Sequence, residues 1–182
     1  MKGIDYKILS KTVAHALRHD PVFYGLTLDE NGFANLNDLA AAMQKFRRWN
    51  NLEVADFEKM ILASEKKRFE IKEEKIRALY GHSANVNILK TPADPPAVLF
   101  HGTSTNNAAQ ILKNGLSAME RQFVHLSADR KTALIVGSRK SKLPIVLEID
   151  TNKAANCGVK FYLGNDTIWL ADAIPANCIR IA

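Results

Sequence analysis

The sequence predicts an α+β chain built as two lobes. In the first part, apolar residues recur at helical spacing in three segments and are followed by two short alternating runs. A polar, proline-rich stretch ending Thr91-Pro92-Ala93-Asp94-Pro95-Pro96 then breaks the pattern. Beyond it, strand-like apolar runs dominate. The expected division is 1–90 and 91–182, at the exposed and Pro-rich link where few contacts should cross.

In the first lobe, Asp5 caps a helix whose apolar positions are Ile8, Leu9, Val13, Ala16 and Leu17. It should stop at Arg18-His19-Asp20-Pro21, because the residue before a proline resists helical dihedrals. Leu26 and Leu28 alternate like a short strand, and Asp29-Glu30-Asn31-Gly32 reads as a turn. Asn35 or Asn37 caps a second helix carrying Leu36, Leu39, Ala40 and Met43. A third spans Glu53 to Ser64, with Val54, Phe57, Met60 and Ile61 on one face. Arg68-Phe69-Glu70-Ile71 and Ile76-Arg77-Ala78-Leu79 then form a β-hairpin. Three helices and a hairpin describe a winged-helix lobe, a module that often meets nucleic acid and also serves purely structural ends.

In the second lobe, strands are expected at 98–100, 123–126, 145–149, 160–163, 167–170 and 178–181. Helices are expected at 107–114 and 129–138. The strand Val98-Leu99-Phe100 delivers His101, Gly102 and Thr103 at its end, and a helical pattern closed by Gly115 follows. A strand end that presents polar groups before a helix is a place for a ligand. The glycine would let the backbone come close and keep its N–H available. Alone, such a turn is more often structural.

Composition narrows the function classes. The 182 residues are 47% hydrophobic, enough for a packed core, and no apolar run approaches the roughly 18 residues of a membrane span. No secretory signal opens the chain. Cys157 and Cys178 lack metal-ligand spacing, so reduced thiols, no structural metal and a cytoplasmic location are expected. The net charge is +6, with 15 Lys+Arg against 13 Asp+Glu up to Pro96 and 10 against 6 beyond it. An excess spread over both lobes suits a polyanionic partner such as RNA or a dinucleotide. No zinc-protease, paired-cysteine, phosphate-loop or dinucleotide-fingerprint motif occurs. Glu148 and Asp150 close a strand without an evident partner, and no carboxylate stands out as a general base.

The cations are more informative. Arg18 and His19 end the first helix, where a positive charge is favoured for purely structural reasons. Neighbours on a helix diverge by about 100°, so the pair can splay around one phosphate. Arg77 lies in an otherwise apolar strand, and Arg121 just precedes another. Arginine suits phosphate because its planar fork makes two parallel hydrogen bonds.

These residues belong to an ordered series. It runs Leu17-Arg18-His19 with Pro21, Arg68-Phe69, Ile76-Arg77-Ala78, Gly81-His82-Ser83, His101-Gly102-Thr103 and Gly115-Leu116. It continues with Arg121, Val124-His125-Leu126-Ser127 and Trp169-Leu170. Over nearly the whole chain the series resembles the RNA 2′-phosphotransferases, which consume NAD. The second lobe is also similar to the wider ADP-ribosyltransferase fold, where a strand-borne His-Gly-Ser/Thr holds the nicotinamide riboside. In that superfamily a glutamate often completes the site; here its position falls near Ile168, which is apolar.

The resemblance implies removal of an internal 2′-phosphate from RNA through an ADP-ribosylated RNA intermediate. The products would be 2′-OH RNA, nicotinamide and ADP-ribose 1″,2″-cyclic phosphate. A phosphate nucleophile is already anionic, so the missing glutamate costs nothing in the first step. It also implies catalytic Arg18, His19, Arg77 and Arg121. NAD, a co-substrate, would be held by His101, Gly102, Thr103, His125 and Ser127, and the RNA phosphate would lie near His82 and Ser83. No metal is expected, and the chain should act as a monomer away from membranes. One departure is Leu79-Tyr80, where relatives often carry Asn-Gln; Tyr80 would stack on a base or simply pack. Two other activities stay open: ADP-ribosyl transfer to terminal phosphates of RNA or DNA, and RNA binding without catalysis.

Overall fold

The computed structural model describes residues 4–83, 85–139 and 141–182. It is a mixed α+β structure whose contacts separate a unit ending at Leu89 from one beginning at Lys90, each with its own apolar core.

In the N-terminal unit, α1 spans Tyr6–Arg18 and is capped by the Asp5 carboxylate, which accepts from the N–H groups of Lys7 and Ile8. Its inward stripe is Leu9, Val13, Ala16 and Leu17, all fully buried. No strand forms at Leu26–Leu28. Leu26 donates its N–H to Pro21, and the two leucines turn inward as packing residues. The strand β1 comes later, at Phe33–Asn35. Asp29 sets it up by accepting at Oδ1 from the N–H groups of Asn31 and Phe33, which reverses the chain. Asn35 then caps α2, Leu36–Gln44. A single 3₁₀ turn, Arg47–Trp49, leads on to α3, Val54–Leu62.

The hairpin pairs β2, Phe69–Lys72, with β3, Lys75–Ala78, and β1 adds to the other side of β3 in an antiparallel sheet. Glu73 and Glu74 both adopt positive φ, 49° and 58°. A two-residue turn of this hand matches the twist of the strands, at the cost of placing two side chains in a region that glycine prefers. Ile76 and Ala78 face the core with Phe69. Arg77 and its cross-strand partner Glu70 therefore take the other face.

The C-terminal unit is one six-stranded antiparallel sheet of order β7-β8-β5-β4-β6-β9. The strands are β4 Val98–Ser104, β5 Val124–Ser127, β6 Pro144–Asp150, β7 Phe161–Leu163, β8 Ile168–Ala171 and β9 Ile179–Ile181. Three helices pack with it: α4 Thr105–Asn114, α5 Arg130–Gly137 and α6 Thr151–Asn156. Ser104, Asp129 and Asp150 cap them in turn. The short α6 is not apparent in the sequence, because its one turn and a half has no apolar periodicity; the cap makes it.

β4 is longer than the sequence predicts. His101, Gly102 and Thr103 lie inside the strand, facing Leu147, Val146 and Ile145 of β6. Gly102 is required for a packing reason. A Cβ there would stand 1.8 Å from the carbonyl oxygen of Ala133, because α5 lies directly on the strand. Gly137 of α5 completes the close approach, with its own missing Cβ 3.1 Å from the Gly102 carbonyl carbon. The glycine thus serves helix–strand contact rather than an open strand end.

Candidate functional site

The end of α1 meets the segment that follows β3. Helix α1 stops at Arg18, and the Ser83 N–H donates to the Arg18 carbonyl at 2.9 Å. The Ser83 hydroxyl lies 2.7 Å from His19 Nδ1, so the imidazole is held by a group that can donate or accept. The Arg18 guanidinium carbon stands 4.9 Å from the Tyr80 ring centroid and 5.7 Å from that of Phe69. Both distances allow the cation to rest on aromatic faces. Tyr80 therefore packs on the arginine. Arg18 and Ser83 are half-buried, and His19 is exposed.

His82 is placed differently from its neighbour. It is buried at 3% exposure, and its ring lies against the turn at Gly32, where an added Cβ would be 3.6 Å from Nε2. Its place is inside the unit, behind Ser83.

Arg77 is engaged elsewhere. Its Nε and Nη2 reach one oxygen of Glu70 at 2.7 and 2.6 Å, and its guanidinium carbon stands 4.5 Å from the Phe33 ring centroid. It occupies the sheet face opposite Phe69, on which Arg18 rests. Arg68 has no such neutralising partner: it donates to the Ser64 hydroxyl at 2.9 Å and forms no ion pair among the described residues. Its carbonyl accepts from Leu79 beside Tyr80, and it adjoins Phe69 in the chain, so it flanks the two rings that bear on Arg18. In the sequence Arg68 opens a predicted strand and is assigned no role of its own; the observed β2 begins one residue later, at Phe69.

The C-terminal unit carries a second polar cluster, on β4 and β5. These strands share one ladder pair, Phe100 with Ser127, whereas β4 and β6 are paired along all of β4. Beyond that pair, His101 Nδ1 lies 3.0 Å from the main-chain oxygen of His125, a side chain reaching where the ladder stops. A carbonyl oxygen only accepts, so Nδ1 of His101 carries the proton in the neutral ring. The same logic applies to His125, whose Nδ1 is 3.0 Å from the Phe123 oxygen. Its Nε2 then presents a lone pair, to which Arg121 Nη1 donates at 3.4 Å. Arg121 is exposed, and Thr103 and Ser127 are buried. Of the residues expected to hold a dinucleotide, the structure brings His101 and His125 together, ties Ser127 to the same strand pair, and puts Gly102 under α5.

A cavity of about 300 Å³ opens at the C-terminal end of β4, lined by Ser104, Thr105, Asn106, Ser141, Lys142 and Leu143. Among the described residues no three His, Cys, Asp or Glu side chains are grouped to hold a metal ion, and no helix is long and apolar enough to cross a membrane.

Residues 5–173 match the family model described as RNA 2′-phosphotransferase, Tpt1 / KptA family. A protein of Bacillus thuringiensis subsp. konkukian described as "Probable RNA 2′-phosphotransferase" is 52% identical over 176 residues, covering 97% of this chain and 95% of its own. One of Acetivibrio thermocellus with the same description is 49% identical over 177 residues, covering 97% of both. An archaeal one, "Probable RNA 2′-phosphotransferase 1" of Archaeoglobus fulgidus, is 38% identical and covers 94% of this chain and 79% of its own.

Proposed function

The chain belongs to the RNA 2′-phosphotransferase family, and from that premise we propose that it transfers an internal RNA 2′-phosphate to NAD, as at a tRNA splice junction. In the first step a phosphate oxygen attacks C1″ of the nicotinamide ribose. The C1″–N bond breaks, and nicotinamide leaves with the bonding pair. In the second, O2″ of the joined ribose attacks phosphorus and the RNA 2′-oxygen leaves, taking a proton. The products are 2′-OH RNA and ADP-ribose 1″,2″-cyclic phosphate.

The observation that carries this reading is the Arg18–His19–Ser83 cluster. A guanidinium braced on two rings is a pre-set phosphate donor, and fixed donors aimed at developing charge need no rearrangement in the transition state. His19, on a hydroxyl that can turn either way, is the group suited to hand a proton to the departing 2′-oxygen. Arg121, whose Nη1 donates to a neutral imidazole and which forms no ion pair among the described residues, keeps its charge for phosphate. Arg68 supports the clamp better than Arg77, whose charge is already met by Glu70.

NAD would lie at the C-terminal unit, read as ADP-ribosyltransferase-like. His101 and His125 have tautomers fixed by main-chain oxygens, which suits them to position a dinucleotide rather than to move protons. The N-terminal unit is read as a winged-helix lobe that receives RNA, consistent with three helices and an antiparallel hairpin. The enzyme is proposed to act as a cytoplasmic monomer.

The test is incubation with NAD and an RNA bearing one internal 2′-phosphate, with products resolved. Loss of the phosphate together with the cyclic product is expected. RNA that keeps its phosphate would falsify the proposal. Persistent ADP-ribosylated RNA would point to an enzyme that stops after the first step. RNA affinity without NAD consumption would point to a binding module.

A further inference from the structure

Loop residues 20–26 of the N-terminal unit thrust large apolar side chains into solvent for no reason of folding. Val22 is 84% and Phe23 64% exposed, and Phe46, after α2, is 37% exposed. The loop is held firmly in that shape. Asp20 accepts from the Phe23 N–H at 3.1 Å, Pro21 accepts from Tyr24 and Leu26, and Gly25 closes the turn at φ +68°. The rings of Phe23 and Phe46 are near-parallel, 27° apart with centroids at 6.2 Å, and Tyr24 meets both. His15 touches the edge of this group at Tyr24, 5.8 Å away, and lies 6.0 Å from His19. The aromatic patch is thus continuous with the proposed phosphate-handling residue.

Its surroundings are cationic. Lys45, Arg47 and Arg48 are exposed on either side of Phe46, with Arg48 lying 5.3 Å from the Trp49 ring. Asp20 is the acidic group on the loop, and its carboxylate is turned to the Phe23 N–H. Exposed aromatic faces interleaved with lysine and arginine fit a single nucleic-acid strand, since every base has a face to stack and every linkage a phosphate to neutralise. A second copy of this chain, itself net basic, would use the apolar area but not this interleaving of cations.

We infer that Phe23 and Phe46, flanked by Lys45, Arg47 and Arg48, form a stacking platform for bases of single-stranded RNA beside the 2′-phosphate. The platform contributes affinity without touching the reacting atoms, and it is indifferent to base identity. It rests on the proposed function for the kind of RNA it takes, but RNA binding can be measured without any turnover.

The experiment is fluorescence anisotropy with a labelled single-stranded RNA that carries no 2′-phosphate, in the absence of NAD and at fixed salt. The double variant F23A/F46A should bind about fivefold to a hundredfold more weakly, the range of one stacked base. F23W/F46W should restore binding, with tryptophan emission quenched by RNA. Both variants should stay folded, the alanine pair melting only slightly below wild type, because Phe23 and Phe46 pack on Tyr24 at the edge of the core rather than inside it. In turnover the alanine pair should raise KM for RNA and leave kcat unchanged, the mark of binding lost equally from ground and transition states.

Alanine binding equal to wild type overturns the inference, as does wild-type protein that binds no single-stranded RNA. A concentration-dependent dimer dissolved by F23A/F46A, with RNA affinity intact, overturns it in favour of self-association. Protein that binds RNA through these rings but transfers no phosphate leaves the platform standing and removes the proposed function.

Discussion

The two units hold their histidines by different means. In the N-terminal unit, His19 stands where a helix stops and is steadied by a side-chain hydroxyl at 2.7 Å. In the C-terminal unit, His101 and His125 sit in strands, each anchored to a main-chain oxygen. A hydroxyl can reverse its donor role as a proton moves; a carbonyl cannot. The contrast sets a ring whose hydroxyl partner suits either tautomer against rings whose carbonyl partners favour one.

The largest expected effect falls on the N-terminal cluster. Arg18→Ala should lower the rate of phosphate transfer by about 10²–10³ or more, as removal of a pre-set oxyanion donor does. If His19 serves mainly the second step, as proposed, His19→Ala should let ADP-ribosylated RNA accumulate. Arg68→Ala should cost more than Arg77→Ala, and rates measured on one substrate decide it. Equal losses from the two would show that the Glu70 pairing does not occupy Arg77 in the working enzyme.

Next in size is a change in the C-terminal unit that acts through folding. Gly102→Ala would drive a methyl group into the Ala133 carbonyl, so either α5 or β4 must shift. Overpacking of this kind costs about 1–3 kcal/mol and at backbone contacts more. A clear fall in melting temperature is expected, along with poor yield. A variant that melts with wild type but fails to bind NAD would instead assign the glycine to the ligand.

Ser83→Ala is a finer probe of the same contrast. It removes the hydroxyl on His19 and should cost about 1 kcal/mol, or roughly fivefold in rate. The pH–rate profile should shift as well, because the ring loses this hydroxyl. His101→Gln should leave that profile in place and raise KM for NAD.

The smallest effects concern acid stability, where the units are alike. Burial alone would raise the Asp29 carboxyl. Backbone donors from Phe33 and Asn31, together with Lys75, outweigh it and hold the group below its usual range. Asp129 is lowered first by the Thr132 N–H and then by the Thr132 hydroxyl. A lowered folded-state pKa contributes stability that is fully present above the unfolded value, near 3.9, and is lost as pH falls from there through the folded-state value. Asp29→Asn and Asp129→Asn should each flatten the decline in melting temperature below about pH 4. A slope unchanged in both would remove the caps from the account.

Much of the chain could be read before it was folded. The Asp5 cap, the stripe on α1, the hairpin and the strand runs follow from local chemistry and from periodicities of 3.6 and 2. The ordered series from Arg18 to Leu170 identified the family. Other features were hidden because they depend on residues far apart in sequence. Leu26–Leu28 alternates like a strand but has no ladder partner, and Gly102 looks like a ligand turn until α5 is laid across it. Arg77 reads as a free cation because its neutraliser, Glu70, is seven positions away and becomes adjacent only through the hairpin register.

By itself, then, the sequence determined the kinds of element, their order and the residue types from which a phosphate site can be made. Tertiary structure alone decided which cation is left unneutralised, which glycine is a packing necessity and which imidazole nitrogen carries the proton. Propensity and periodicity act over a few neighbouring residues, whereas charge pairing, close backbone contact and tautomer depend on what the fold brings within a few ångströms.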